Sequence, residues 1–222
     1  TIISSVEKDI KISADIEAEN IIIEEIKKNS KFHILSEEAG FTNHTNKKSN
    51  DYIWIIDPLD GSMNYYRGIL INCVSISLWK DNTPVLGVIY DFNADNLFSG
   101  IVNKGAWCNN IPINVSKIKN KSDSVICTGF PVYTSYKSSD ILDFVDDVKE
   151  YKKVRMLGSA AYSLSLVSSG SADVYKEKNI AIWDVAAGLA IVKAAGGFIK
   201  YKFTDKDKQL LNVAAAANLK LL

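Results

Sequence analysis

The chain has 222 residues, 47% of them apolar and 23% charged, with 26 basic side chains set against 26 acidic ones. This near-average composition excludes global disorder, and the length suits one large domain or two closely merged halves. Nothing in the neutral balance points to partners held by bulk charge, such as a nucleic acid backbone or an anionic membrane, so neither is expected and any bound anion must be held locally. No apolar run reaches the roughly 18 residues of a membrane span and no basic-then-apolar leader opens the sequence, so a cytoplasmic, soluble protein is expected. Cys73, Cys108 and Cys127 lack the spacing of a disulfide framework or a thiolate zinc site and read as small hydrophobes. His33 and His44 are the only histidines, which removes imidazole-rich metal sites.

In chain order, apolar residues at Ile16, Ile22, Ile23 and Ile26 among Glu and Lys predict an amphipathic helix from Asp15 to Lys28. Phe32 to Leu35 reads as a short strand running into Glu37 and Glu38. A polar loop from Thr42 to Asp51 follows, then a strand from Tyr52 to Ile56. Leu70 to Trp79, Pro84 to Phe92 and Leu97 to Val102 alternate between the turn signals Asp81-Asn82, Asn93 to Asn96 and Asn109-Asn110, which predicts an antiparallel meander. Beyond about residue 120 the pattern changes to strand Val125 to Phe130, helix Ser139 to Lys149, strand Val154 to Leu157, helix Ser159 to Ser168 and strand Ala172 to Lys176. Val185 to Ala195 carries Lys193 as its only charge and stops at Gly196-Gly197, as a buried, glycine-capped helix does. The expected fold is a layered α/β domain spanning 1–222, with an antiparallel half to about residue 120 and an α/β half after it.

The chemistry concentrates in Trp54 to Ser62, WIIDPLDGS. A β-rich run ends at Asp57, Pro58 sets a turn, Asp60 follows three residues on, and Gly61 lets backbone approach a ligand. If Ser62, Met63 and Asn64 open a helical turn, the Gly61 and Ser62 amides form a phosphate seat. The fragment alone also fits an ordinary D-P-x-D-G turn whose acids bond their own backbone. Asp184, in Ile182-Trp183-Asp184-Val185, likewise fits a helix cap, although apolar Ile180 to Trp183 places it where a core begins. Converging carboxylates would repel by about 4 kcal/mol per pair at 4 Å and an effective dielectric near 20, a conflict that hard cations remove. Oxygen-only ligands favour magnesium or manganese over zinc.

Three segments in this order, Ser36 to Gly40 (SEEAG), Asp57 to Asn64 (DPLDGSMN) and Trp183 to Gly197 (WDVAAGLAIVKAAGG), resemble the inositol monophosphatase family of magnesium-dependent, lithium-sensitive phosphatases. The resemblance covers nearly the whole chain and implies an αβαβα sandwich, two or three magnesium ions with manganese as a substitute, and a homodimer or higher homo-oligomer. It implies that Glu37, Asp57 and the Leu59 carbonyl hold a first metal, and that Asp57, Asp60 and Asp184 hold a second. It also implies phosphate binding by Asp60 and the Gly61 and Ser62 amides, an Asp15–Ser62 pair that orients the attacking water, and Glu38 behind the ligands. Ser62 stands where the family usually has threonine. Leu157, Gly158, Ser159 and Ala160, continuing to Ala161, resemble the substrate-contacting turn, and Glu177 an acid that binds a substrate hydroxyl. Arg155 is expected beside the pocket, either in an ion pair supporting it or on the substrate. Lys117 to Lys121 reads as a solvated loop.

The implied activity is hydrolysis of a small phosphorylated sugar or polyol without a covalent phosphoenzyme. Cys127 has no arginine at phosphatase spacing, Asp57 has no D-x-D partner, and no Walker loop is present. Met63 to Gly68 lacks the Lys-Glu of nucleotide bisphosphate phosphatases and looks more like archaeal members that also accept fructose 1,6-bisphosphate. The alternatives are a 3′(2′),5′-bisphosphate nucleotidase, or a silent binding module in which one acid would be missing. Family members usually carry one more helix before the segment matching Ser4 to Asp15 and continue past the strand matching Asn212 to Ala217.

Overall fold

A computed structural model describes residues 2–6, 9–42, 52–130 and 137–222, with backbone alone for 2–6 and 9–12. His44 and all but the first residue of the expected 42–51 loop lie outside the described residues.

The chain opens with a hairpin, β1 (Ile2–Val6) and β2 (Asp9–Ile12), and enters helix α1 (Ser13–Asn29). Strands β3 (His33–Ser36), β4 (Gly40–Thr42) and β5 (Tyr52–Asp60) follow, then the short helix α2 (Ser62–Tyr66). Next comes the meander, β6 (Cys73–Lys80), β7 (Thr83–Asp91), β8 (Asn96–Ile101), β9 (Gly105–Cys108) and β10 (Ile111–Ile113). The second half runs β11 (Val125–Thr128), α3 (Ser138–Val148), β12 (Lys153–Arg155), α4 (Ala160–Ser168), β13 (Val174–Ala181) and α5 (Ile182–Ala194). It ends with β14 (Phe198–Asp205) and β15 (Leu210–Ala216).

An eight-stranded sheet is ordered β10-β9-β8-β7-β6-β5-β3-β4, and a five-stranded sheet is ordered β12-β11-β13-β15-β14. In the first sheet only β3 and β5 pair in parallel. Helices α4 and α5 pack on each other and lie between the two sheets. Strand β5 shows why these layers form. Its alternate residues face opposite sides, so Ile56 packs with Ile23 of α1 and Ile34, while Ile55 joins the core with Val185 and Leu189 of α5. Helix α5 is apolar nearly all round because it is covered on both sides. Gly188 allows its contact with α4, since a Cβ there would lie 2.4 Å from the Leu164 Cβ. Val148, at the end of α3, packs on the far face of the second sheet with Tyr151, Ile126 and Val174. The result is a mixed α/β stack of two sheets and three helical layers. No helix among the described residues is long and apolar enough to cross a membrane.

Several boundaries differ from those expected. Strand β6 begins at Cys73, not Leu70, because the amide side chains of Asn64 and Asn72 bond the carbonyls of Ile71 and Ile69 and hold that stretch out of the ladder. Strand β12 ends at Arg155, so Leu157 lies beyond it. The charged and aromatic stretch Phe198–Asp205 forms β14, an edge strand of the second sheet. The Asp81-Asn82 and Asn109-Asn110 turns stand as expected, all four residues having positive φ.

Candidate active site

The largest departure from the sequence expectation is at the D-P-x-D corner. Strand β5 does not end at Asp57 but continues to Asp60, and the turn comes at Gly61. Asp57 pairs with Ser75 and Asp60 with Cys73, so three steps along β5 match two along β6. This is a β-bulge, where the N–H missing from Pro58 costs no ladder bond. In a regular strand, residues three apart point to opposite faces. The extra residue puts both carboxylates on the face of Cys73 and Ser75, toward α4 and α5, where Cys73 packs with Ala161 and Ala187.

Other elements bring acids to the same place. Glu37 follows β3 directly, and its N–H donates to the Ile56 carbonyl at 3.2 Å, which continues the parallel ladder beside Asp57. Asp184 lies in the first turn of α5, where the cap position belongs to Ala181, so it is not the cap residue considered above. The Ser75 hydroxyl donates to the Trp183 carbonyl at 3.3 Å and ties the start of α5 to the residue opposite Asp57.

The electrostatics record this convergence. Asp57 is 1% exposed. Burial, then the charges of Glu37, Asp60 and Asp184, push its carboxyl well above the usual carboxylate range, while the Leu59 N–H, 2.9 Å from Oδ1, opposes them. Burial raises Asp60 to about 6, against hydrogen bonds donated by the Ser159 hydroxyl and the Ala161 N–H, each 2.6 Å from Oδ2. Glu177 is raised to about 7 by burial, with the Asp60 charge adding and the Tyr175 phenol, donating at 2.6 Å, opposing. Among the described residues no three acid, thiol or imidazole side chains are closed about one point at ligand distance. The donors are nonetheless all oxygen, as magnesium or manganese requires.

At the Gly61 corner, the Ser62 hydroxyl lies 3.1 Å from Asp15 Oδ1 and 2.9 Å from the Leu59 carbonyl. Asp15 is 2% exposed, on the inward face of α1. Gly61 has φ +90°, and a Cβ there would come 2.9 Å from the Ile71 carbonyl, so only glycine fits without strain. The Asn64 amide donates to the Ile71 and Leu157 carbonyls at 2.8 Å each, which fastens the corner to the Leu157–Gly158 turn. Ser159 caps α4 by accepting from the Tyr162 N–H, and Ala160 opens that helix.

Arg155 is exposed and donates to the carbonyl of its neighbour Val154. It makes no ion pair among the described residues, contrary to the supporting role considered for it. Lys121 pairs with Glu150 at the surface, consistent with a solvated loop. Cys73 and Cys127 are buried, and all three cysteines are free thiols. A cavity of about 740 Å³ opens between α3 and the second sheet; its lining includes Glu177 and the α3 acids Asp140, Asp143 and Asp147, but not Glu37, Asp57, Asp60 or Asp184.

Sequence reasoning passed over Glu19, Asn64 and Tyr175. Glu19 carried a signal, since it lies four residues after Asp15 on a face whose next turn is Ile23, and an acid there points inward.

A two-sheet α/β protein with acids gathered above a bulged strand is the class that fold and site define. The profile of the Inositol monophosphatase family matches residues 4–219, and the chain belongs to that family. An inositol-1-monophosphatase from Synechocystis sp. (strain ATCC 27184 / PCC 6803 / Kazusa) is 38% identical over 194 residues, which are 86% of this chain and 66% of that protein. A Nus factor SuhB from Xylella fastidiosa is 36% identical over 184 residues, 82% of this chain and 65% of that protein. The chain thus spans about two thirds of the length of these relatives. The solved inositol monophosphatase of Anabaena (Nostoc) sp. PCC 7120 superposes with a TM-score of 0.80 at 34% identity, covering 92% of this chain and 81% of that one.

Proposed function

We propose that the chain is a magnesium-dependent phosphomonoesterase acting on small phosphorylated sugars or polyols, inositol 1-phosphate first and the C1 phosphate of fructose 1,6-bisphosphate second. The observation that carries this reading is Asp57, buried and facing the charges of Glu37, Asp60 and Asp184. A buried cluster of like charges has little structural use and is relieved by divalent cations. Glu37, Asp57 and the Leu59 carbonyl would hold one ion, and Asp57, Asp60 and Asp184 another. When bound, such ions supply Lewis-acid chemistry, lowering the pKa of a water and offsetting charge on the departing ester oxygen.

The chain's own residues orient the reactants. Ser62 Oγ directs its proton to Asp15 or to the Leu59 carbonyl, so its lone pairs are left to accept from the attacking water. The amides of Gly61 and Ser62 would receive the phosphate, and Glu177 would bind a substrate hydroxyl. Asp60, already bonded to Ser159 and Ala161, couples the phosphate end to the turn that faces the sugar. A silent module would not need these acids, and none of them is missing.

The test is phosphate release from inositol 1-phosphate, fructose 1,6-bisphosphate and adenosine 3′,5′-bisphosphate, with and without Mg²⁺. Magnesium-dependent release from the first two is expected. Preference for the nucleotide overturns the substrate assignment, and no release from any ester overturns the reading as an enzyme.

A further inference from the structure

Helix α1 reaches the site twice from one face. Asp15, Glu19 and Ile23 are its buried residues, spaced at four. Ile23 packs with Ile34 and Ile56, Asp15 meets Ser62 at the Gly61 corner, and Glu19, one turn from Asp15, meets the segment after β3. Glu19 is 5% exposed. Its Oε1 accepts from the Ser36 hydroxyl at 2.5 Å, the Glu38 N–H at 3.2 Å and the Ala39 N–H at 3.0 Å. Those donors flank Glu37, whose own N–H is taken by the Ile56 carbonyl.

One carboxylate oxygen therefore ties down the residues on both sides of an acid whose charge acts on Asp57, through the Ser36 hydroxyl before it and two backbone amides after it. Charge-assisted bonds from three donors offset the burial of this glutamate and give the turn a single geometry. Because Asp15 and Glu19 project from one rigid helix, the Ser62 corner and the Glu37 turn are held in fixed relation to each other.

We infer that Glu19 is a positioning residue that sets the Ser36–Ala39 turn so that Glu37 presents its carboxylate to the cation shared with Asp57. The inference rests on the metal-dependent reading above. Side chains that orient metal ligands typically change affinity by about 10- to 100-fold when lost.

The experiment measures Mg²⁺ uptake by titration calorimetry, and the Mg²⁺ dependence of thermal unfolding, for the wild type and Glu19→Gln, Glu19→Asp and Glu19→Ala. Gln keeps an acceptor oxygen at the same reach and should bind Mg²⁺ within about threefold of wild type. Asp keeps the charge but withdraws it by one methylene, and with Ala it should weaken binding by about tenfold or more. If Ala does not fold, the comparison of Gln with Asp decides. Asp behaving as wild type while Gln is impaired would make the effect one of charge and overturn the positioning role. Variants that melt lower yet bind Mg²⁺ as wild type does would make Glu19 a staple of the fold alone, which also overturns it. A wild type that takes up no Mg²⁺ removes the metal reading itself, and the inference with it.

Discussion

Replacing Glu177 by glutamine should stabilise the protein while impairing its substrate contact. The Glu177 carboxyl titrates near 7 instead of its ordinary 4.5, burial being the main cause. At about 1.4 kcal/mol per pH unit, that rise corresponds to at most about 3 kcal/mol of destabilisation when the group is ionised, lowered where water screens the partly exposed carboxylate. The folded state holds the proton more tightly than the unfolded chain. Stability is therefore fully present below pH 4.5, falls as pH rises toward 7, and is lost above it. Glutamine resembles the protonated form and can still accept from the Tyr175 phenol. At pH 8 the variant should melt about 5–10 °C above wild type, since 1 kcal/mol moves a domain of this size by about 2–4 °C. The difference should vanish near pH 4. Thermal unfolding followed by circular dichroism in chelator across pH 4–8.5 measures it, and ester kinetics on the same variant should show raised KM with kcat within a few fold. A variant that melts below wild type at pH 8, or a difference that does not shrink on acidification, would refute the reasoning.

Three further changes probe the corner. Asp57→Asn should lower turnover by about 10²-fold or more, as losses of transition-state electrostatics do, and should abolish any rise in melting temperature with Mg²⁺; near-normal turnover would count against the assignment. Gly61→Ala, forced into a left-handed conformation against the Ile71 carbonyl, should cost about 1–3 kcal/mol in urea unfolding, and an unchanged midpoint would show that the corner relaxes freely. Asn64→Ala removes the donors to the Ile71 and Leu157 carbonyls and should destabilise by about 1–3 kcal/mol. Because it loosens the Leu157–Gly158 turn, its KM should rise more than its kcat falls in steady-state assays.

Much of the site was legible because its chemistry is compressed into short segments. Asp57, Asp60, Gly61 and Ser62 are near neighbours in sequence, and a cluster of acids after a strand reads as chemistry wherever it occurs. The Asp15–Ser62 contact followed from resemblance and appears as a hydrogen bond. The bulge was not legible, because a D-P-x-D-G run is also good turn sequence and only pairing with β6 reveals the extra residue. The ion pair considered for Arg155 was not legible either, because charge near a presumed pocket says nothing about which way a strand end points, and the side chain lies exposed on the Val154 carbonyl.

The amino-acid order alone settled the two styles of pairing, the Asp81-Asn82 and Asn109-Asn110 turns, and the buried character of α5. Each of these is a local preference or a periodicity within one element. The resemblance implied that Glu37 and Asp184 act with Asp57, but only tertiary structure buries Asp57 among their charges and lets Glu19 hold the turn between Ser36 and Ala39. Burial and like-charge repulsion depend on distances between segments that are separate in sequence, about 20 residues apart for Glu37 and Asp57 and more than a hundred for Asp184, and chain packing sets those distances.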